Sequence, residues 1–325
     1  MDTGTHVVMG LALGGLATLD PAFSESSAAT GVLISVMIGS QAPDIDTVLK
    51  LKNNAVYIRN HRGITHSIPA VLLWPVLISG LMHQFFPEVN FLHLWLWTFL
   101  AVFLHVFVDI FNAYGTQALR PFSSKWLALG VINTFDPFIF GIHIVGLTLW
   151  AFGADPGYTF LAIYAVLVAY YVFRFMERKV VYRQVINMIP DATEIIISPT
   201  LKFHQWKIAV MNKQQFFVGR SVNRKVEILD QFNRVAVPQT PVIEAAKKDS
   251  NLAAFLSFSP VYRWEADEFD DYYEVRFIDL RYRSKDYYPF VAVVQLDRDL
   301  NIKTSYTGWI FSEQKLRKKL EIIPN

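Results

Sequence analysis

Cysteine is absent from all 325 residues. That excludes thiolate metal sites, cysteine nucleophiles and a disulfide-stapled secreted scaffold. Charge is scarce as well: charged residues make up 18% of the chain against 53% hydrophobic, with a mean hydropathy of +0.28. This excludes an ordinary soluble globular protein of this length. The scarcity is confined to one half. Residues 1–173 hold six Lys/Arg and nine Asp/Glu, whereas residues 174–325 hold 24 and 19. Net charge thus turns from −3 to +5 near residue 174, where the surroundings change from bilayer to water. The first residues have no basic run and no small-residue cleavage site, so no removable leader is expected. No internal repeat or low-complexity tract is visible.

What the first half does have is apolar sequence. Six segments can be drawn, near 5–19, 28–41, 68–86, 91–112, 128–152 and 158–176. The last four approach or exceed the roughly 20 residues that span a bilayer. The first two are short, and their Gly10, Gly14, Gly15 and Gly31 suit close helix packing. All six Lys/Arg of this half fall in loops 42–67 and 113–127, whereas the opposite loops carry only Asp20, Glu25, Glu88 and Asp155. The positive-inside rule then predicts a multi-pass inner-membrane protein with six crossings and both termini in the cytoplasm. The last segment leaves through Arg174-Phe175-Met176-Glu177-Arg178-Lys179, a basic exit suited to an anionic leaflet.

From about residue 190 the pattern becomes short and alternating: Thr193–Ser198, Phe203–Val210, Gln215–Val222, Lys225–Leu229, Tyr262–Ala266, Tyr272–Tyr282, Tyr288–Leu296 and Ile302–Ile310. Val242–Phe258 reads as one or two helices and Ser312–Ile322 as a charged terminal helix. The fold class expected is a multi-pass α-helical membrane domain over 1–178, followed by a cytoplasmic α+β or mainly antiparallel β domain over 190–325. Interleaved Arg and Tyr over 276–288 raise the question of nucleic acid. A solvated sheet face is the favoured reading, because an excess of +5 over that half is weak.

The residues that carry chemistry fall at one predicted depth. Asn60-His61-Arg62-Gly63-Ile64-Thr65-His66-Ser67 precedes the third apolar segment, Asp44 and Asp46 follow the second, and His105 and Asp109 close the fourth. His6 and Asp2 lie at the start of the first segment and Asp136 at the start of the fifth. Imidazole plus carboxylate is the donor set of Zn²⁺, Mn²⁺ and Fe²⁺. His105 and Asp109 stand four apart, on one helix face. Such groups beside hydrocarbon are costly unless paired or metal-bound. Arg62 has the planar fork that meets a phosphate or carboxylate. Taken singly, each has a plainer role: His6 as a surface or cap partner, Asp44 and Asp46 as turn residues, Asp136 as a helix cap, and His105–Asp109 as an interhelical hydrogen bond. Their shared depth favours metal. His83, His93 and His143 lie elsewhere and read as structural.

These motifs resemble those of the YdjM/YfhP-like family of inner-membrane proteins, described as metal-dependent hydrolases. The resemblance rests on Gly4-Thr5-His6, Pro43-Asp44-Ile45-Asp46, the His61–Ser67 block and His105-x3-Asp109, with Tyr114-Gly115-Thr116 through Pro121 after it. It covers roughly residues 1–125, and the longer layout looks most like the YfhP branch of Bacillus-type bacteria. More distantly, the order of His and Asp residues is similar to the zinc-dependent phospholipase C and P1 nuclease group. That similarity implies His6, Asp44 or Asp46, His61 or His66, His105 and Asp109 as ligands. The chain departs from that group after Asp109, where its further His and Glu ligands have no match, so one or two ions are expected.

The function expected is a membrane-bound hydrolase with a divalent metal, zinc first and Mn²⁺ as an alternative. His6, Asp44, His61, His66, His105 and Asp109 are the candidate ligands. Asp46 is the candidate base or orienting carboxylate, and Arg62 the clamp on an anionic group. The depth of the site favours a phosphoester or lipid-linked substrate at the cytoplasmic face, with membrane lipids as partners. The competing reading is a non-catalytic membrane regulator working through the C-terminal domain, which the YfhP branch's association with transcriptional repression supports. A transporter ranks last, since the polar residues gather at one face and no inverted repeat appears.

Overall fold

The computed structural model of the protein describes residues 1–23, 26–51 and 54–322. Glu25 and Lys52, which entered the topology reading, lie outside the described residues. The chain divides into two compact units that do not follow one another in sequence. One comprises Met1–Thr47, His61–Lys179 and Ser198–Phe203; the other comprises Val48–Asn60, Val180–Ile197 and His204–Asn325.

The first unit is helical. Its helices are α1 (Thr3–Leu16) and α2 (Ser26–Gly39), then, past the short α3 (Asn54–Asn60) of the other unit, α4 (Ile68–Phe85), α5 (Phe91–Ile110), α6 (Pro137–Ala151) and most of α7 (Pro156–Met188). Local chemistry sets the starts. Asp2 accepts from the Thr5 amide, Ser67 from Ala70, Asn90 from Leu92 and His93, and Asp136 from Phe138 and Ile139, so each open helix end gains an acceptor. Pro137 sits in the first turn of α6, where its missing N–H costs nothing.

Among the described residues six apolar helices are present, but six crossings are not shown. Among the described residues, only α4, α5 and α7 are long and apolar enough to cross a membrane. A fourth arises if Ser27–Gly39 and Ala42–Leu51, bent by 46°, make one broken span. At 1.5 Å per residue, the 14 residues of α1 and the 15 of α6 reach about 21–23 Å, short of a hydrocarbon core of roughly 30 Å. The expected segment 128–152 begins as a helix only at Pro137, because the chain before it is held in irregular turns. The Asn112 side chain accepts from the amides of Tyr114 and Gly115, and Gly115 and Gly130 lie in the left-handed region, at φ +69° and +60°.

The core of this unit forms where helices touch through small residues. Leu13, Val32, Val36, Ile78, Met82, Leu94, Ala101 and Val102 are buried together between α1, α2, α4 and α5. Ala12, Ile139, Phe160, Ile163 and Leu167 form a second cluster between α1, α6 and α7. Buried hydroxyls of Ser35, Ser79 and Thr98 bond to one another inside the bundle, at 2.6 and 3.2 Å.

The second unit carries two four-stranded antiparallel sheets. The first runs in sequence order through β1 (Glu194–Pro199), β2 (Gln205–Met211), β3 (Gln215–Val222) and β4 (Lys225–Asn233). Trp206, Ile208 and Val210 of β2 pack on Val181 and Val185 at the end of α7 and on Ile189 just past it. The second runs through β5 (Tyr262–Glu268), β6 (Tyr273–Asp279), β7 (Phe290–Leu296) and β8 (Ile302–Trp309). The expected helix over 242–258 is two, α8 (Pro241–Lys247) and α9 (Ser250–Phe258), because Asp249 caps a new start by accepting from Leu252. The terminal α10 (Glu313–Ile322) buries Leu316 and Leu320 against Ile278, Val291 and Val293.

Candidate metal centre

His105 and Asp109 stand one turn apart on the buried side of α5, both fully enclosed. Just before α4, a 3-10 turn over Ile64–His66 places His66 inside. Asp44 and Asp46 come from the 3-10 stretch Ala42–Leu51 that follows α2. The four side chains Asp44, His66, His105 and Asp109 offer one donor atom each, all mutually close. His66 Nε2 is 3.6 Å from Asp44 Oδ1 and 3.5 Å from Asp109 Oδ2; His105 Nε2 is 3.6 and 3.7 Å from the same two oxygens. These are four of the six edges of a tetrahedron whose other two are within 4.8 Å; a regular one with edges of about 3.6 Å has a centre about 2.2 Å from each vertex, the range of Zn–N and Zn–O bonds. All four donor atoms are buried and accept no hydrogen bond. Asp109 Oδ2 faces the Arg62 guanidinium, but the other three buried acceptors lack a donor, which is costly unless a cation completes them. The residues therefore fit a divalent ion.

The surrounding bonds set the tautomers. His105 Nδ1 is 2.6 Å from the Ser40 carbonyl, which can only accept, so that nitrogen carries the proton and Nε2 presents its lone pair. Thr65 donates its hydroxyl to Asp46 Oδ2 at 2.7 Å. Its oxygen is then open to the His66 Nδ1–H at 3.1 Å, and His66 Nε2 also faces the centre as an acceptor. Burial, joined by the neighbouring His105, pushes the His66 imidazole well below its ordinary pKa, so it is neutral, as a ligand must be.

Asp46 serves as a bracket. Besides the Thr65 bond, its Oδ2 accepts from the Arg62 amide at 2.8 Å, and its Oδ1 lies 2.7 Å from His61 Nδ1. With Asp44 and His61 it forms a second group of close donor atoms. His61 is partly exposed, and its ring meets that of His66 edge to face.

Arg62 is buried with φ +60°, unusual for a side-chain-bearing residue. Its amide is held by Asp46 and its carbonyl accepts from Gln117 N at 2.9 Å, bonds that keep the strained turn in place. Its Nε lies 3.2 Å from Asp109 Oδ2, and its Nη2 donates to the Met1 carbonyl at 2.8 Å. His6 is stacked on His105, with ring centroids 3.6 Å apart. Its Nε2 reaches the other oxygen of Asp109, Oδ1, at 3.5 Å, and the Met1 nitrogen at 3.0 Å. The Met1 nitrogen also meets Asp109 Oδ1. His6 thus adjoins the four-donor set through Asp109.

The last candidate, Asp136, stands apart, and two of the histidines read as structural have partners of their own. Asp136 caps α6 and accepts from the Tyr170 hydroxyl at 2.9 Å. His93 gains a partner that sequence reasoning did not supply: Asp20 Oδ2 at 2.8 Å, which also accepts from Trp97 Nε1. His143 turns its Nδ1 to the carbonyl of Ile139 in its own helix. Two contributors to the centre went unnamed as such, the Thr65 hydroxyl and the Ser40 carbonyl. Thr65 was legible as the residue before His66; a backbone carbonyl leaves no mark in sequence.

Comparison with known proteins places these motifs. Residues 1–181 match the family model "YdjM inner membrane protein", residues 190–232 "YfhP middle domain", and residues 241–320 "YfhP C-terminal alpha/beta plait domain". The chain is 65% identical over 324 residues to the Bacillus subtilis (strain 168) protein named "Uncharacterized protein YfhP", covering 99% of each. No solved structure matches the chain.

Proposed function

The chain belongs to the YdjM inner-membrane protein family, in its YfhP form, and from that premise we propose that it is a membrane-embedded metal-dependent hydrolase acting on a phosphoester or lipid-linked substrate at the cytoplasmic face. One observation carries the reading: four buried donor atoms, two imidazole and two carboxylate, converge at 3.5–3.7 Å spacing with no hydrogen-bond partner. Asp44, His66, His105 and Asp109 would hold the ion. The two carboxylates balance a dication, and neutral imidazoles with a carboxylate select Zn²⁺ first and Mn²⁺ or Fe²⁺ next.

Such an ion supplies Lewis acidity and activates water at neutral pH. The protein's own groups do the rest. Asp46 fixes His61 and, through Thr65, His66. Arg62, the cation beside Asp109, is placed to meet an anionic group. His61, partly exposed at the edge of the donor set, is placed to carry protons to and from the site. His6 supports Asp109 from the far side.

Elemental analysis of the purified protein tests this. Stoichiometric zinc or manganese is expected in the wild type, falling on the order of tenfold or more in His105→Ala, since the loss of even an orienting partner costs 10–100-fold. A wild-type protein that binds no divalent ion, or binds it as well after His105→Ala, sinks the proposal.

A further inference from the structure

The donor atoms are buried, but the residues interleaved with them are apolar and turned outward. Ile45, between Asp44 and Asp46, is 57% exposed, and Ile64, between Arg62 and His66, is 68% exposed. The loop after α5 is bonded to the same block: Gln117 N donates to the Arg62 carbonyl at 2.9 Å, and Ile68 N to the Arg120 carbonyl at 3.3 Å. That loop exposes Leu119 and Leu129, and Phe122 is 85% exposed. A soluble enzyme would cover such side chains or replace them.

Two further features say what covers them. The exposed residues sit in turns and loops at the ends of candidate spans, where α4 begins at Ile68 and α5 ends at Ile110. This is the level of a bilayer's boundary. Charge there has one sign: between residues 110 and 135 the loop carries Arg120 and Lys125 and no acidic residue. Basic residues beside exposed apolar ones fit an anionic headgroup layer with hydrocarbon beneath it.

We infer that Ile45, Ile64, Leu119 and Phe122 form an apolar apron at the mouth of the metal centre, which takes the hydrocarbon chain of an anionic lipid phosphoester. The substrate enters from the bilayer. Its chain lies on the apron, Arg120 and Lys125 offset its headgroup charge, and the phosphoester is left beside Arg62 and the donor set. In the reaction, water adds to phosphorus, the ester P–O bond breaks, and the alcohol leaves with the proton. The inference rests on the hydrolase reading, but it concerns other residues and is separable by experiment.

The test uses the full-length protein, loaded with zinc or manganese, and two esters that differ only in chain: 4-nitrophenyl methyl phosphate and 4-nitrophenyl hexadecyl phosphate. Release of nitrophenolate is followed, and metal content is measured in parallel. A KM lower by about tenfold or more is expected for the hexadecyl ester, since burial of only two methylenes is worth that much. In a Leu119→Ser/Phe122→Ser variant the preference is expected to fall towards unity, with metal content retained. Equal KM values in the wild type, or a full preference in the variant, overturn the apron and leave the hydrolase standing. If neither ester is cleaved, the hydrolase reading fails, and binding decides the apron. Quenching of tryptophan fluorescence by a brominated hexadecyl phosphate (Trp126 lies in the same loop) that disappears in the variant keeps it. Quenching that is absent, or unchanged in the variant, overturns it.

Discussion

At the scale of the residue, the informative group is Thr65. It has one hydrogen to give and gives it to Asp46 Oδ2, which obliges its oxygen to accept from His66 Nδ1. One hydroxyl therefore fixes which nitrogen of His66 faces the centre. Thr65→Val keeps the shape and removes the relay. Divalent-metal affinity is expected to weaken about 10- to 100-fold, as read by competition with a chromophoric chelator; an unchanged affinity would show that the relay does not orient His66. Asp46 holds both this hydroxyl and the Arg62 amide, so its loss releases two elements of the site together. The pairing of His105 with Ser40 is of the same kind, but its acceptor is a backbone carbonyl that no side-chain substitution removes.

At the scale of the element, α5 is the rod on which the centre is built. Its buried stripe of Leu94, Thr98, Ala101, Val102, His105 and Asp109 follows helical spacing. The stripe is mostly apolar through its middle and polar at its C-terminal end. The loop that follows is closed on itself by a backbone bridge between Thr116 and Leu127, at 3.1 and 2.8 Å, and is held to the Arg62 carbonyl by the Gln117 amide. Gly115 makes this possible: its φ is +69°, and a Cβ added there would come within 2.0 Å of the Leu127 carbonyl oxygen. Gly115→Ala is expected to cost at least about 1–3 kcal/mol from backbone conformation alone, with the clash added. It should lower the thermal midpoint of the detergent-solubilised protein and loosen the loop, as read by faster hydrogen exchange at Thr116 and Leu127. A wild-type midpoint in the variant would contradict the close approach.

At the scale of the whole molecule, the second unit has an electrostatic knot of its own. Glu274 is buried on β6 and accepts from Gln295 and Arg276, each at 2.9 Å, and from Arg317. Burial alone would raise its pKa, but the bonds from Gln295, Arg317 and Arg276 outweigh it and hold the carboxyl below its ordinary value. The folded state therefore binds the proton more weakly than the unfolded chain. The resulting stability is present in full above the unfolded value of about 4.3. It is lost as pH falls below that value and through the lower folded one. Glu274→Gln is expected to destabilise this unit by about 1–3 kcal/mol near neutral pH, with the gap closing below about pH 4. Hydrogen exchange along β6 in the full-length protein reads this; a gap independent of pH would contradict it.

Much of this was legible in sequence, and the reasons are local. The antiparallel strands of the second unit alternate with period two, and Gln215–Val222 stands where the alternation puts it. The donor residues could be named because ionisable groups beside long apolar runs stand out against them. The count of spanning helices was not legible, because hydropathy does not see where a helix starts. Pro137, Gly130 and the Asn112 turn shorten the fifth apolar segment to 15 helical residues. Nor was the unit boundary a single point: Val48–Asn60 groups with the second unit although Asp44–Asp46 before it and His61–His66 after it belong to the first.

The sequence by itself determined the membrane character of the first half, the β-rich second half and the inventory of His, Asp and Arg beside the apolar runs. These follow from composition and periodicity, which act over a few residues at a time. Tertiary structure alone decided which donors meet. It brought Asp44, His66, His105 and Asp109 together from three separate stretches and set Asp46 to bracket them. It left His6 beside the set and sent Asp136 to cap a helix. Convergence depends on how helices pack and turns close, over distances that no local pattern encodes.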